Sequence, residues 1–261
     1  MGTLTESGGR FAEYSFCNEL ETSSMGPIDL FDVLSGKEDA AKKLMAVAGQ
    51  EVKDSFKGVL EAHEWLPFAA EQYFTSAKLS DYVLVPTSIM TTEIPNRNGV
   101  AFPFEELTSF NHEHGKIAYK TWQAKTTHIE HQNSDPTKAK GVIFDAAMRR
   151  MPRFEGDLWQ VVLLNGFDRR KDPELANRIL NKEATGYSMG AWVRDYECSI
   201  CGTSLKQTEG KGCRHVTKGK PEMAIYDGRL AYLRAIDPIG FECSSVGVPA
   251  YVQAVNSEYL A

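Results

Sequence analysis

Ala184-Thr185-Gly186-Tyr187-Ser188-Met189-Gly190-Ala191 sets a serine between two glycines, and its flanks decide which fold can carry it. Before it, Asp172-Pro173-Glu174-Leu175-Ala176-Asn177-Arg178-Ile179-Leu180 reads as a helix. Asp172 can cap it, Pro173 suits the first helical position, and Leu175, Ile179 and Leu180 share a face. After it, Ala191-Trp192-Val193-Arg194-Asp195-Tyr196 alternates strand-forming side chains. The predicted order is helix, Gly-Ser-Gly turn, strand. Gly186-x-Ser188-x-Gly190 also spells the nucleophile elbow of α/β-hydrolases, but that elbow runs strand, turn, helix and has its histidine last in the chain. The one histidine after Ser188 is His215, which stands among cysteines. The α/β-hydrolase fold is set aside on that reversal, and a capped tight turn without chemistry is the plain alternative.

The 261 residues suffice for one large domain, or for a domain with an appendage. A net charge of -6 argues against a general nucleic-acid-binding surface and leaves only a local basic patch. No apolar run reaches the length of a membrane-spanning helix. Met1-Gly2-Thr3-Leu4-Thr5-Glu6 has neither the basic nor the apolar region of a signal peptide. Three of the five cysteines crowd together at metal-ligand spacing, which fits a reducing, cytoplasmic setting better than a disulfide framework.

Residues 1 to about 30 are rich in Gly, Ser, Thr and Glu and are expected to be loosely structured. From Gly36 to Thr75 the pattern turns helical, with Val52, Phe56, Val59 and Leu60 on one stripe and His63 on the helix surface. Strand signals follow at Asp81–Pro86, Ala139–Ala146, Glu155–Leu164 and Ile239–Val248, with Lys116–Trp122 strand-like and Phe104–Phe110 helix-like. His112 and His114 fall in a polar loop between those last two. Many strands and few helices predict an α+β, mainly β chain with a closed or nearly closed β-barrel-like core flanked by helices. Residues 1–77 would be a helical N-terminal appendage or propeptide. Residues 78–261 would be the main domain, with a small insertion at 196–220.

A serine hydroxyl becomes a nucleophile only beside a base, and that base needs a third group to fix its tautomer. His128 and His131 precede Ser188 and are the candidate bases; in a strand, three residues apart, they would point to opposite faces. Cys198-x-x-Cys201 followed by Cys213-x-His215 supplies three thiolates and one imidazole, a closed tetrahedral set for a structural zinc. Cys17 and Cys243 read as buried thiols. Two other functions use the same residues. Lys206, Lys211, Arg214, Lys218 and Lys220 around a zinc site could touch phosphate in a nucleic-acid-binding module, though no aromatics interleave them. His128, His131 and Asn133 could belong to an HNH-like nuclease. A non-enzymatic structural component would have no need of Ser188.

An ordered series of short pieces runs from Tyr82 to Val255. Ile94-Pro95-Asn96-Arg97-Asn98-Gly99 comes with Phe102, then His131-x-Asn133 leading to Ala139-Lys140-Gly141-Val142-Ile143, then the Val161–Leu164 strand and the helix holding Leu175-Ala176. Tyr187-Ser188-Met189-Gly190-Ala191, the cysteine insertion and Glu242-x-Ser244-x-Val246-x-x-Pro249-Ala250 complete it. The series resembles the prohead (capsid maturation) serine proteases of tailed phages, whose fold is related to the herpesvirus assemblins. The resemblance implies a serine endopeptidase with Ser188 as nucleophile, His131 as base (His128 second) and Glu242 as third member (Asp157 the alternative). It further implies scaffold and major capsid proteins as substrates, autocleavage, and a place inside the prohead in the host cytoplasm. A homodimer is compatible with it; a membrane or nucleic-acid partner is not expected.

Overall fold

The computed structural model describes residues 16–17, 27–39, 42, 57–151, 158–217, 221 and 223–251. Asp157, Lys218, Lys220, Val52 and Phe56 lie outside the described residues, as does the side chain of Cys17. The strands are β1 (Phe16–Cys17), β2 (Ile28–Asp29), β3 (Tyr82–Thr91), β4 (Val100–Ala101), β5 (Phe110–Asn111), β6 (Lys116–Ile117) and β7 (Thr126–Ile129). They continue as β8 (Gly141–Arg150), β9 (Trp159–Asp168), β10 (Tyr187–Cys198), β11 (Ile225–Tyr226), β12 (Arg229–Leu230) and β13 (Leu233–Ser245). One large mixed sheet runs β10-β13-β7-β8-β9-β3-β2, with β1 on β8 and β4 on β13.

The expected barrel does not close. Among the described residues no ladder joins β10 to β2, so the sheet is open. The reason lies in the strands themselves. Every residue of β3, and nearly every residue of β8 and β9, is buried, so both faces must be covered rather than one facing inward and one wet. Each face has its own apolar cluster. Val83, Val85, Ile143, Val161, Leu163 and Tyr187 fill one, together with Leu175 and Ile179 of the helix Pro173–Leu180. Leu84, Val142, Phe144, Val162 and Leu164 fill the other, against Ala62, Leu66 and Ala69 of the helix Ala62–Tyr73. The expected domain cut at 77/78 therefore passes through this second cluster, on whose far side Gly58 N–H donates to buried Asp145 at 2.8 Å. Asp145 is also paired with Lys120 at 2.9 Å.

Pro86 lies within β3 opposite Leu164 of β9, beyond Val83 and Leu84, the two residues that pair with β2. Lys116–Trp122 is strand for two residues only and then a 3₁₀ turn, Ala118–Trp122, whose Tyr119 and Trp122 bury in the first cluster. His63, His112 and His114 are exposed. No described helix is long and apolar enough to cross a membrane.

Candidate active site and metal centre

The helix before Ser188 forms as expected, with Asp172 accepting from Leu175 N–H at its N-terminus. The turn does not. Ser188 is the second residue of β10, and neither Gly186 nor Gly190 needs a positive φ. The two glycines instead provide space. A Cβ on Gly186 would meet the Val246 carbonyl oxygen at 2.5 Å. One on Gly190 would meet Phe241 Cζ at 2.5 Å and Glu242 Oε1 at 2.6 Å.

Register builds the site. Tyr187, Met189, Ala191 and Val193 turn toward the first apolar cluster, so Ser188 and Gly190 face the opposite side. Across the ladder Ser188 pairs with Ser244 and Gly190 with Glu242, and paired residues share a face. On the other flank of β13, His128 of β7 pairs with Ser244. Ser188, Ser244 and His128 thus form one row across three strands, with Glu242 one pleat away.

His131 reaches this row from outside it. The strand ends at Ile129, and Glu130 and His131 both adopt left-handed backbone (φ 47° and 55°), so the opposite-face expectation for His128 and His131 has no strand to act on. Such backbone costs of order 1 kcal/mol per residue or more. Two hydrogen bonds to the end of β13 and one from the residues just after it hold it: Glu130 N–H to Ser245 O at 3.0 Å, His131 N–H to Ser244 Oγ at 3.2 Å, and Gly247 N–H to Glu130 Oε1 at 2.8 Å. The ring then lands with Nδ1 2.8 Å from Glu242 Oε1. Glu242 is fully buried, while the His131 side chain is 44% exposed. Ser244 Oγ donates to the other carboxylate oxygen, Oε2, at 2.6 Å.

A carboxylate can only accept, so the His131 proton resides on Nδ1 and the lone pair on Nε2. The bond to Glu242 raises the His131 pKa above its ordinary value, against the opposing effect of burial. His128 is the reverse case. It is 1% exposed, burial lowers its pKa, and neither ring nitrogen has a hydrogen-bond partner among the described residues. The Glu242 charge and the Gln132 and Lys138 backbone offset that effect only in part. Ser188 is 8% exposed, and no hydrogen bond joins it to either histidine among the described residues. The structure brings His131 and Glu242 into contact and sets Ser188 on the adjacent strand of the same face.

Ser244 is the residue that sequence reasoning did not single out for a role. The spacing Glu242-x-Ser244 already placed both on one strand face, and that signal was available. Phe241 is the other. Between Gly190 and Ala191 the register slips by one, so Phe241 is bulged and turns its ring to the Glu242 side, over Gly190.

At the far end of the same hairpin, Cys198 closes β10 and pairs with Leu233, the first residue of β13. Between them lies the cysteine module. The ligand atoms of Cys198, Cys201, Cys213 and His215 all fall within 4.8 Å of one another. Cys201 and Cys213 Sγ are 3.5 Å apart, and His215 Nδ1 is 3.7 Å from Cys198 Sγ and from Cys213 Sγ. A tetrahedral zinc with Zn–S of about 2.3 Å and Zn–N of about 2.0 Å sets such edges at about 3.5–3.8 Å. Donor chemistry and spacing both fit a metal ion. Burial pushes the Cys198 thiol up to about 11, while a hydrogen bond from Thr203 brings exposed Cys201 down to about 6. Lys206, Lys211 and Arg214 are exposed around the module. Among the described residues no other group of three metal-ligating side chains comes together. Cys243 is a buried thiol in the first apolar cluster.

No protein-family model matches the chain, and neither a curated protein nor a solved structure matches it.

Proposed function

We propose that the chain is a serine endopeptidase acting by acyl transfer, with Ser188 as nucleophile, His131 as general base and Glu242 as the group that orients the base. One observation carries this reading: His131 Nδ1 lies 2.8 Å from the buried Glu242 carboxylate, across 111 residues of sequence, on the sheet face that presents Ser188. That bond fixes the tautomer in which Nε2 can accept a proton, as acyl-transfer catalysis requires. A side-chain rotation bringing His131 Nε2 to Ser188 Oγ completes the pair; such contacts are often long before substrate binds. His131 then takes the Ser188 proton as the serine attacks a peptide carbonyl. Glu242, steadied by Ser244, stabilises the imidazolium. The protonated His131 delivers its proton to the leaving amine, and water hydrolyses the acyl-enzyme.

The ordered motif series points to the biological setting: scaffold and major capsid proteins of a tailed phage as substrates, cleaved in the immature head, with self-cleavage. Cys198, Cys201, Cys213 and His215 would hold a zinc ion. Four protein ligands leave no open position, so the metal would fix the module's fold and take no part in the chemistry. The zinc site is also remote, since Cys198 is ten residues, about 33 Å of extended strand, from Ser188.

The test is co-expression with the cognate capsid and scaffold proteins, wild type against Ser188→Ala, read by intact mass. Processed fragments in the wild type alone are expected. The same fragments in both would remove the proposal.

A further inference from the structure

The bulge that turns Phe241 onto the Glu242 face builds a second feature there. Ser188, Gly190 and Trp192 follow one another along one side of β10, and Gly190 lacks the Cβ that would push the Phe241 ring away. Phe241 therefore lies over Gly190, and Trp192 stacks on it, with ring centroids 5.2 Å apart and planes tilted by 34°. Trp192 is 68% exposed, among the most exposed large apolar side chains of the described residues. Beyond it on the same face the surface turns polar, where Arg194 pairs with Asp237 at 2.7 Å. The result is a bounded aromatic shelf. It begins beside Glu242 and ends at an ion pair, at about 7 to 13 Å along the strand from Ser188.

Two facts separate this shelf from a scattered surface tryptophan. It is continuous with the catalytic row, sharing Gly190 and the bulge with Glu242. It also lies on β10, an edge strand of the sheet with β13 as its partner. An extended polypeptide with its scissile carbonyl at Ser188 spaces its own side chains as β10 does, so every second side chain meets this face. We infer that the Phe241–Trp192 shelf is a specificity subsite that takes an apolar side chain, aromatic or branched aliphatic, two to four residues from the scissile bond of an extended polypeptide. The inference rests on the serine-peptidase reading and adds to it the class of sequence selected. Stacking and burial on the shelf supply the selectivity, and contact that persists from ground state to transition state appears in kcat/KM.

The experiment uses the full chain and a peptide library from a digested proteome, with cleavage positions read by mass spectrometry. A small fluorophosphonate probe, which needs only the serine and its base, reports on the peptidase reading through wild type against Ser188→Ala. Ser188-dependent cleavages are expected to be enriched in apolar residues at one fixed position, two to four residues from the cut. A synthetic peptide carrying Leu there and its Ala counterpart should differ about tenfold or more in kcat/KM. Trp192→Ala should reduce that ratio toward one, and Trp192→Leu should restore most of it. Ser188-dependent cleavage without enrichment, or an unchanged Leu/Ala ratio in Trp192→Ala, overturns the shelf and leaves the serine reading standing. Probe labelling with no cleavage in the library likewise overturns the shelf as a peptide subsite. Loss of both labelling and cleavage in the wild type removes the serine reading, and the shelf with it.

Discussion

Replacing Gly190 by alanine tests the site through a single methyl group. The new Cβ would stand 2.6 Å from Glu242 Oε1, the oxygen that holds His131 at 2.8 Å, and 2.5 Å from Phe241 Cζ. To reach an ordinary 3.4 Å contact the carboxylate must retreat by about 0.8 Å, and it has nowhere easy to go. It is fully buried, and its other oxygen is tied to Ser244. Overpacking of this kind costs about 1–3 kcal/mol of stability. The functional loss is separate and larger in consequence, because a misplacement near 1 Å in a catalytic constellation can cost about a hundredfold in rate. Stability is read from urea midpoints, and Ser188 reactivity from the rate of fluorophosphonate labelling. The double variant Gly190→Ala/Phe241→Leu distinguishes the two contacts. Trimming the ring should return most of the stability, while the rate stays low because the clash with the carboxylate persists. If Gly190→Ala labels at the wild-type rate, Glu242 does not govern Ser188 through His131, and the reasoning fails.

The remaining expectations follow from neighbouring contacts. His131 has its pKa raised by Glu242, and it must be neutral to act as base. The rate should therefore climb with pH through a midpoint above the ordinary histidine value of about 6.5. The His131–Glu242 ion pair runs the other way, stabilising the fold at low pH and fading as pH rises through that midpoint. Glu242→Gln should move the midpoint down, as seen in the His131 ring shifts by NMR, and should cost about 10⁴ in rate, as expected when the orienting carboxylate is lost. Ser244→Ala removes a hydroxyl that donates to Glu242 Oε2 at 2.6 Å and accepts from His131 N–H at 3.2 Å. A hydrogen bond to a charged group contributes about 1.5–3 kcal/mol, so a loss of about ten- to a hundredfold in kcat/KM is expected. Purified protein should carry one zinc per chain by elemental analysis. Brief chelation should lower the melting temperature and strip the metal while Ser188 labelling continues, whereas Cys201→Ser should weaken metal retention.

Which parts of this were legible in the sequence follows a physical line. The helix Pro173–Leu180 declared itself through Asp172, Pro173 and a one-sided apolar stripe, all of them local. The cysteine module was legible because metal ligation demands fixed residue types at short spacing. His131 and Glu242 could be paired from the ordered motif series, since nothing local links residues 111 apart. What did not show was long-range. The open sheet came from β3, β8 and β9 being buried on both faces, and an apolar run does not say how many faces it covers. The glycines around Ser188 suggested a turn because glycine's freedom at positive φ is its commonest use. Here its missing side chain matters instead, and the atoms that fill the gap, on Phe241, Glu242 and Val246, arrive more than fifty positions later in the chain. Ser244 was in view within its motif, yet its role depends on a β7–β13 register that one strand alone cannot reveal.

β13 lies between β10 and β7 and also pairs with β4. A chain leaving the ribosome has its hydroxyl and its imidazole exposed to the cell for as long as residues up to 245 take to follow. During that interval no strand joins the two, and the carboxylate that would fix the imidazole has not been made. On the proposed reading, the last long strand among the described residues would serve as a time lock, keeping an unfinished polypeptide inert toward its neighbours and toward itself.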